Sequence, residues 1–232
     1  MRTAVSNVID LLFPRFCLLC GSAVFEEYEK FLCLGCFSDL PLSMHSDPVE
    51  NQMSKTLWGR CEFNMAQNLL NYQSQSKYAD LFKEIKYRGR KDLAFYMGTL
   101  LGRKMKKELK HLDGAVLIPV PLARRKFWMR GYNQAEIIAN GISKSTGISV
   151  NRNQLTRSVH RKSQTEKSRI ERWLNIESVY NCSKLPKSVN HVILVDDVMT
   201  TGATIESCVK ALNQENRVGV TILTLGFTQK AL

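Results

Sequence analysis

The chain has 232 residues with 44% hydrophobic content, enough for one α/β domain with a sizeable core plus a small appendage. Thirty-three Lys and Arg oppose 21 Asp and Glu, and the formal net charge of +12 points to an anionic partner, either a phosphorylated substrate or nucleic acid. No run approaches the roughly 18 apolar residues of a membrane span, so a helical membrane protein is excluded and a soluble, cytoplasmic one is expected.

In chain order, residues 5–13 are apolar on one face but contain Asp10 and lack a long apolar run or a small-residue cleavage site. They predict a short amphipathic helix and not a signal peptide. Four of the seven cysteines then fall as Cys17-x-x-Cys20 and Cys33-x-x-Cys36. Two such pairs across a short loop place four thiolates on two knuckles, the tetrahedron that Zn²⁺ prefers in closed structural sites. Two disulfides or a redox pair are the competing reading, disfavoured in a chain without a secretory signal. Cys61, Cys182 and Cys208 have no partner spacing and read as ordinary buried thiols. With the break D-P-V-E-N-Q near Asp47, a metal-stapled module is expected over residues 1–60 and a larger domain over 61–232.

From Ser74 the pattern turns helical, through L-F-K-E-I-K-Y-R-G-R into D-L-A-F-Y-M-G-T-L-L-G-R-K-M, with Leu93, Met97, Leu101 and Met105 on one stripe and a basic opposite face. Residues 115–120 read as a buried strand, and Pro119 and Pro121 then impose a rigid loop that carries Arg124, Arg125, Lys126 and Arg130. This stretch is either a solvated basic loop or an anion site. Arg130 is favoured for the second role, because R-G-Y-N-Q-A supplies a turn glycine and a helix start. Residues 132–145 return to helical periodicity, which Gly147 ends. Residues 157–173 have no apolar residues to bury until their end and predict an exposed arm.

The stretch V-I-L-V-D-D-V-M-T-T-G-A-T, residues 192–204, then runs from a buried strand into two acids and a threonine-rich loop, ahead of a helical segment at 205–214. In open α/β sheets ligands bind at the carboxyl ends of strands, and a glycine-containing loop there can aim amides at a phosphate. The G-x-x-x-x-G-K-[ST] spacing of a nucleotide-binding P-loop is missing. Two carboxylates would repel a phosphate unless they face something else, and the vicinal hydroxyls of a ribose supply it. The competing reading makes the acids a helix cap and the threonines a turn. A last apolar strand spans 218–227, and the alternation of strand and helix predicts a parallel sheet.

Residues 192–204 resemble the 5-phosphoribosyl-1-pyrophosphate (PRPP) motif of type I phosphoribosyltransferases. The resemblance implies that fold, an open and mainly parallel sheet flanked by helices. It also implies that Asp196 and Asp197 hold the ribose while Thr200, Thr201, Gly202, Ala203 and Thr204 wrap its 5′-phosphate, with Val198 and Met199 completing the PRPP-binding stretch. Arg125 and Arg130 suit the pyrophosphate geometrically, with Mg²⁺ accompanying it. A mobile hood protrudes from the sheet in that family, where this chain has its polar arm.

Taken together, P-V-P-L-x₇-R-G-Y-N-Q, L-T-R-x₅-S-Q-T-x₂-S-R-x-E-R-x₂-N and V-D-D-V-M-T-T-G-A-T, preceded by the four cysteines and I-K-Y-R-G-R, resemble the ComF family over nearly the whole chain. That family resembles amidophosphoribosyltransferases in its second half, but this chain opens Met1-Arg2-Thr3, without an N-terminal nucleophilic cysteine, so no glutaminase activity is expected. Many ComF relatives carry cysteines for a second ribbon, whereas this chain offers only Cys61 there. The resemblance implies a role in DNA uptake during natural transformation, with competence proteins such as a DNA-translocating helicase as partners. Two functions from different classes follow. One is a single-stranded DNA-binding competence factor that uses PRPP as a ligand, with Phe127, Trp128 and Tyr132 interleaved among cations as stacking platforms. The other is an active phosphoribosyltransferase, in which Asp196, Asp197 and Arg130 are catalytic and Arg157, Gln164 and Arg172 of the hood close over the site. Trp128 packed on the zinc module is the alternative to a stacking role.

Overall fold

Val192, Ile193, Leu194 and Val195 are fully buried because neighbouring strands cover both edges of their strand and helices cover both its faces. The computed structural model describes residues 15–24, 30–43, 47–157 and 180–228. The N-terminal segment expected as an amphipathic helix and most of the expected arm, Gln164 and Arg172 included, lie outside the described residues.

In chain order the elements are β1 (Arg15–Phe16), β2 (Ala23–Val24), α1 (Leu34–Ser38), α2 (Gln52–Leu57), β3 (Met65–Asn71), α3 (Ala79–Tyr87), α4 (Lys91–Lys104), α5 (Lys106–Leu109) and β4 (Ala115–Pro119). There follow α6 (Arg124–Arg130), α7 (Gln134–Thr146), β5 (Leu155–Arg157), β6 (Tyr180–Cys182), β7 (His191–Met199), α8 (Ala203–Glu215) and β8 (Gly219–Phe227). The main sheet has the order β3-β8-β7-β4, and every pairing in it is parallel. This is the expected α/β class.

Side chains alternate along each strand, so the sheet has two apolar faces. Leu117, Ile193, Val195, Leu223 and Leu225 face α4 and α7. Val116, Ile118, Val192, Leu194 and Ile222 face α8 and α2, which contributes Met53 and Leu57. Helices α4 and α7 approach closely because glycines stand between them. A Cβ on Gly98 would collide with the Ile138 carbonyl, and one on Gly141 with the Phe95 carbonyl.

Three elements differ from the sequence expectation. The helical stretch after Ser74 is two helices, α3 and α4, broken at Gly89, whose φ of 69° is left-handed. The stripe Leu93, Met97, Leu101 and Met105 is buried as expected. The basic loop after Pro121 contains a helix, α6: its Arg, Lys, Trp and Met residues tolerate helical backbone, and Gly131 at φ 73° ends it. Strand β3 was not signalled at all, since M-A-Q-N-L-L-N interrupts its apolar residues with Gln67 and Asn68. Both are buried: Lys104 of α4 donates to Gln67 Oε1 at 3.0 Å, the Asn68 carbonyl at 2.9 Å and Ser43 Oγ at 2.7 Å, while the Asn68 amide donates to the Leu70 carbonyl at 2.8 Å and Asn71 Oδ1 at 2.9 Å. Burial lowers the Lys104 pKa to about 8.

The cysteine segment joins this body. β1 and β2 form a hairpin, and Cys17, Val24, Phe31, Leu32, Cys36 and Leu40 share the core on the α4 and α7 face. Phe31 meets Tyr96 of α4 at 5.3 Å between ring centres, and Tyr78 donates its hydroxyl to the Asp39 carbonyl at 2.7 Å. Among the described residues no helix is long and apolar enough to cross a membrane.

Candidate functional site

Strand β7 continues past its apolar run to Met199, paired with β8 out to Phe227, so Asp196 and Asp197 leave the core on its last turns of pleat. They line a cleft of about 200 Å³ whose other walls come from Lys86 of α3, residues 120–122 after β4, Lys126 and Arg130 of α6, the start of α7, Arg157, Tyr180 and Thr204. Two carboxylates and four cations thus converge at the carboxyl edge of a parallel sheet, where such folds bind ligands.

The two acids are not equivalent. Asp196 Oδ1 accepts the backbone N–H of Asp197 at 2.8 Å, and Asp197 Oδ1 accepts that of Val198 at 2.7 Å. Asp197 Oδ2 lies 3.3 Å from the Lys86 ammonium, with the two side chains 16% and 23% exposed. Burial first, and the charge of Asp197 second, push the Asp196 carboxyl up to about 8. Burial thus favours the protonated form of Asp196.

The loop after Met199 turns on Gly202, which has a left-handed φ of 76° and starts α8 without a side-chain cap. The left-handed φ favours glycine there, and a Cβ would also press on the Leu57 side chain of α2 at 2.7 Å. Thr200, Thr201, Ala203 and Thr204 are exposed around it, and Thr204 borders the cleft. An uncapped 13-residue helix start leaves amides for an anion. The loop is braced from behind by Arg60, which donates to the Thr201 and Thr56 carbonyls and, at 2.7 and 3.0 Å, to Glu206. Glu206 also pairs with Lys210 at 2.7 Å, and these bonds, Lys210's first, hold its carboxyl below the ordinary range.

Arg130 faces the cleft, donates to Gln134 Oε1 at 3.0 Å and lies over the Tyr87 ring at 5.5 Å. Lys126, one turn earlier, joins it. Arg125 is exposed on α6 and is not among the lining residues. Arg157 lines the cleft, stacks on Tyr180 at 5.4 Å and donates to its hydroxyl at 3.2 Å. Tyr132 is buried, bonded through its hydroxyl to the Ile85 carbonyl, so it offers no stacking surface. Trp128 is 83% exposed beside Phe127 and Met129, and among the described residues it does not pack on the cysteine module. Lys86 and Arg60 had no assigned role in the sequence. Lys86 sits within I-K-Y-R-G-R, whereas Arg60 carries no motif.

At the other pole, the Sγ atoms of Cys17, Cys20, Cys33 and Cys36 lie within 4.8 Å of one another, and those of Cys20 and Cys33 are 3.7 Å apart. A tetrahedral zinc with bonds of about 2.3 Å holds its sulfurs roughly 3.8 Å apart. The Cys36 amide already donates to Cys33 Sγ at 3.5 Å, the turn a metal knuckle needs. The donor set fits the ribbon expectation.

No protein-family model matches the chain. Among curated proteins, it is 35% identical over 100 residues to competence protein F of Haemophilus influenzae, covering 42% of this chain and 44% of that one. It is 25% identical over 225 residues to competence protein ComFC of Bacillus subtilis, covering 87% and 90%. The ComF resemblance holds. The match thus spans less than half of the Haemophilus protein but nine-tenths of the Bacillus ComFC. Among solved structures, the glutamine PRPP amidotransferase from B. subtilis aligns with 61% of this ComF-like chain and 30% of its own, at 18% identity and a TM-score of 0.40.

The raised Asp196 carboxyl has a consequence for stability. Its folded pKa lies above its unfolded value of about 3.9, so the folded chain binds the extra proton and loses stability as pH climbs between the two. Asp196→Asn keeps the acceptor oxygen for the Asp197 amide and removes the charge. At pH 8 this variant should melt about 2–4 °C above the parent, the equivalent of ~1 kcal/mol in a chain of this size, with the gap closing towards pH 5. Calorimetry that finds it equally or less stable at pH 8 would contradict the assignment.

Proposed function

We propose that this chain is a PRPP-binding protein of the ComF kind that acts on single-stranded DNA during DNA uptake. The observation that carries the proposal is the division of labour in the cleft: two acids at the end of β7, an uncapped helix start behind Gly202, and cations on α3 and α6. Ribose hydroxyls donate to Asp196 and Asp197, amides of 200–204 take the 5′-phosphate, and Lys126 and Arg130 face the pyrophosphate. Hard oxygen donors line the cleft, which fits Mg²⁺. When bound with PRPP, Mg²⁺ supplies charge neutralisation at the pyrophosphate. Arg157, at the end of β5, closes the ribose side.

The first test is thermal melting with millimolar PRPP and Mg²⁺. A ligand that binds only the folded state adds about 2.7 kcal/mol at a hundredfold excess over its Kd, so the transition should rise by several degrees. Replacing Asp196 and Asp197 together with Asn should abolish that rise without unfolding the chain. No rise in the parent, or an equal rise in the double variant, rejects the ribose-phosphate assignment.

The DNA part rests on Trp128 and Phe127, exposed among Arg124, Arg125 and Lys126 on α6, as stacking faces among backbone-binding cations. Binding to a single strand should weaken steeply between low and high salt. Trp128→Ala should lower affinity by about tenfold at fixed salt, since a stacked base contributes roughly 1–3 kcal/mol. Undetectable binding at low salt favours the second function, a phosphoribosyltransferase that passes ribose 5-phosphate to a nitrogen nucleophile. The largely buried ion pair of Asp197 with Lys86 supports that alternative, because charge developing at C1 would meet a fixed carboxylate.

We further propose that the four cysteines hold zinc and that the metal ties the β1–β2 hairpin to the start of α1, in the segment whose Phe31 packs on α4. Metal analysis should find one zinc per chain, and Cys33→Ser should lose it and lower the melting temperature. A zinc-free protein that melts unchanged in chelator rejects this.

A further inference from the structure

Both oxygens of Asp197 are engaged within the cleft. Oδ1 accepts the Val198 amide, and Oδ2 holds Lys86 at 3.3 Å. Lys86 belongs to α3, on a different wall from β7, and both side chains are largely withdrawn from water. An ion pair at this depth is screened weakly, so a hydroxyl that approaches Asp197 Oδ2 competes with a strong partner. A sugar hydroxyl alone is a poor exchange for an ammonium.

The same cleft offers Lys86 a way out. Lys126 and Arg130 line it from α6, so a doubly charged anion drawn there arrives within the space that Lys86 also borders. The flexible four-carbon stem of lysine lets its ammonium change partners without moving the helix. Ribose hydroxyls can then take the oxygen that Lys86 leaves.

Resting on the ribose-phosphate reading above, we propose that Lys86 is a specificity residue. It occupies Asp197 until an anion on C1 draws it away, so the cleft selects ribose 5-phosphates that carry a pyrophosphate over those that do not. Lys86 thereby couples the two ends of the ligand: the group at C1 frees the acid that grips the ring.

The distinguishing measurement is calorimetric titration of the full chain with PRPP and, separately, with ribose 5-phosphate, which shares the ring and the 5′-phosphate. Lys86→Met keeps the stem and removes the charge. The exchange predicts that this variant loses about tenfold to a hundredfold in PRPP affinity, the usual scale for one hydrogen bond to a charged group, while ribose 5-phosphate binds equally or more tightly. The ratio between the two ligands collapses. If both affinities fall in parallel, Lys86 only holds the site together and the proposal is overturned; the same follows if neither changes. A parent chain that binds neither ligand overturns the ribose-phosphate reading itself, and this inference with it. Lys86→Gln, titrated in the same way, takes the place of the Met variant should that one fail to fold.

Discussion

Everything at the cleft depends on β7 being an inner strand. With β8 on one side and β4 on the other, its backbone is fully paired and its apolar run is closed to water from both faces. The chain therefore has one place to put charged groups on this strand, the carboxyl end, and it puts two there in succession. Their adjacency in a strand would ordinarily send them to opposite faces, but at the sheet's edge both border the same opening.

Two adjacent carboxylates in a half-dry cleft cannot both be ionised cheaply, and the surrounding helices resolve the conflict asymmetrically. Lys86 stands 3.3 Å from Asp197, and burial favours the protonated form of Asp196. With Lys86 set against Asp197, an approaching polyanion meets cations on α3 and α6 as well as the two acids. Arg60 does comparable work on the far side, tying the Gly202 loop to Glu206 so that the helix start keeps its aim.

The placement of α6 bears on both proposed roles. One turn of it carries Lys126 and Arg130 into the cleft, while Phe127, Trp128 and Met129 stand in solvent. Whatever occupies the cleft and whatever stacks on Trp128 share a wall seven residues long, ended by a left-handed glycine. The cysteine module stands apart from that wall and packs against α4, in keeping with a structural metal set rather than a catalytic one.

The sequence by itself determined the local units. The β-branched run into Asp196 and Asp197, the glycine that follows, the paired C-x-x-C knuckles and the helix read over 132–145 and ended by Gly147 were all legible, because spacing, alternation and glycine punctuation are local constraints. It misplaced what depends on context. Strand β3 was hidden because Gln67 and Asn68 are polar: Gln67 becomes tolerable when Lys104 arrives from a helix 37 residues away, and Asn68 when its amide finds the Leu70 carbonyl and Asn71 Oδ1. Tyr132 looked like a stacking residue until the Ile85 carbonyl claimed its hydroxyl. Lys86 and Arg60 were two cations among 33. Only tertiary structure singled them out, since an ion pair or a brace is a distance between distant residues, and no local pattern encodes a distance across the fold.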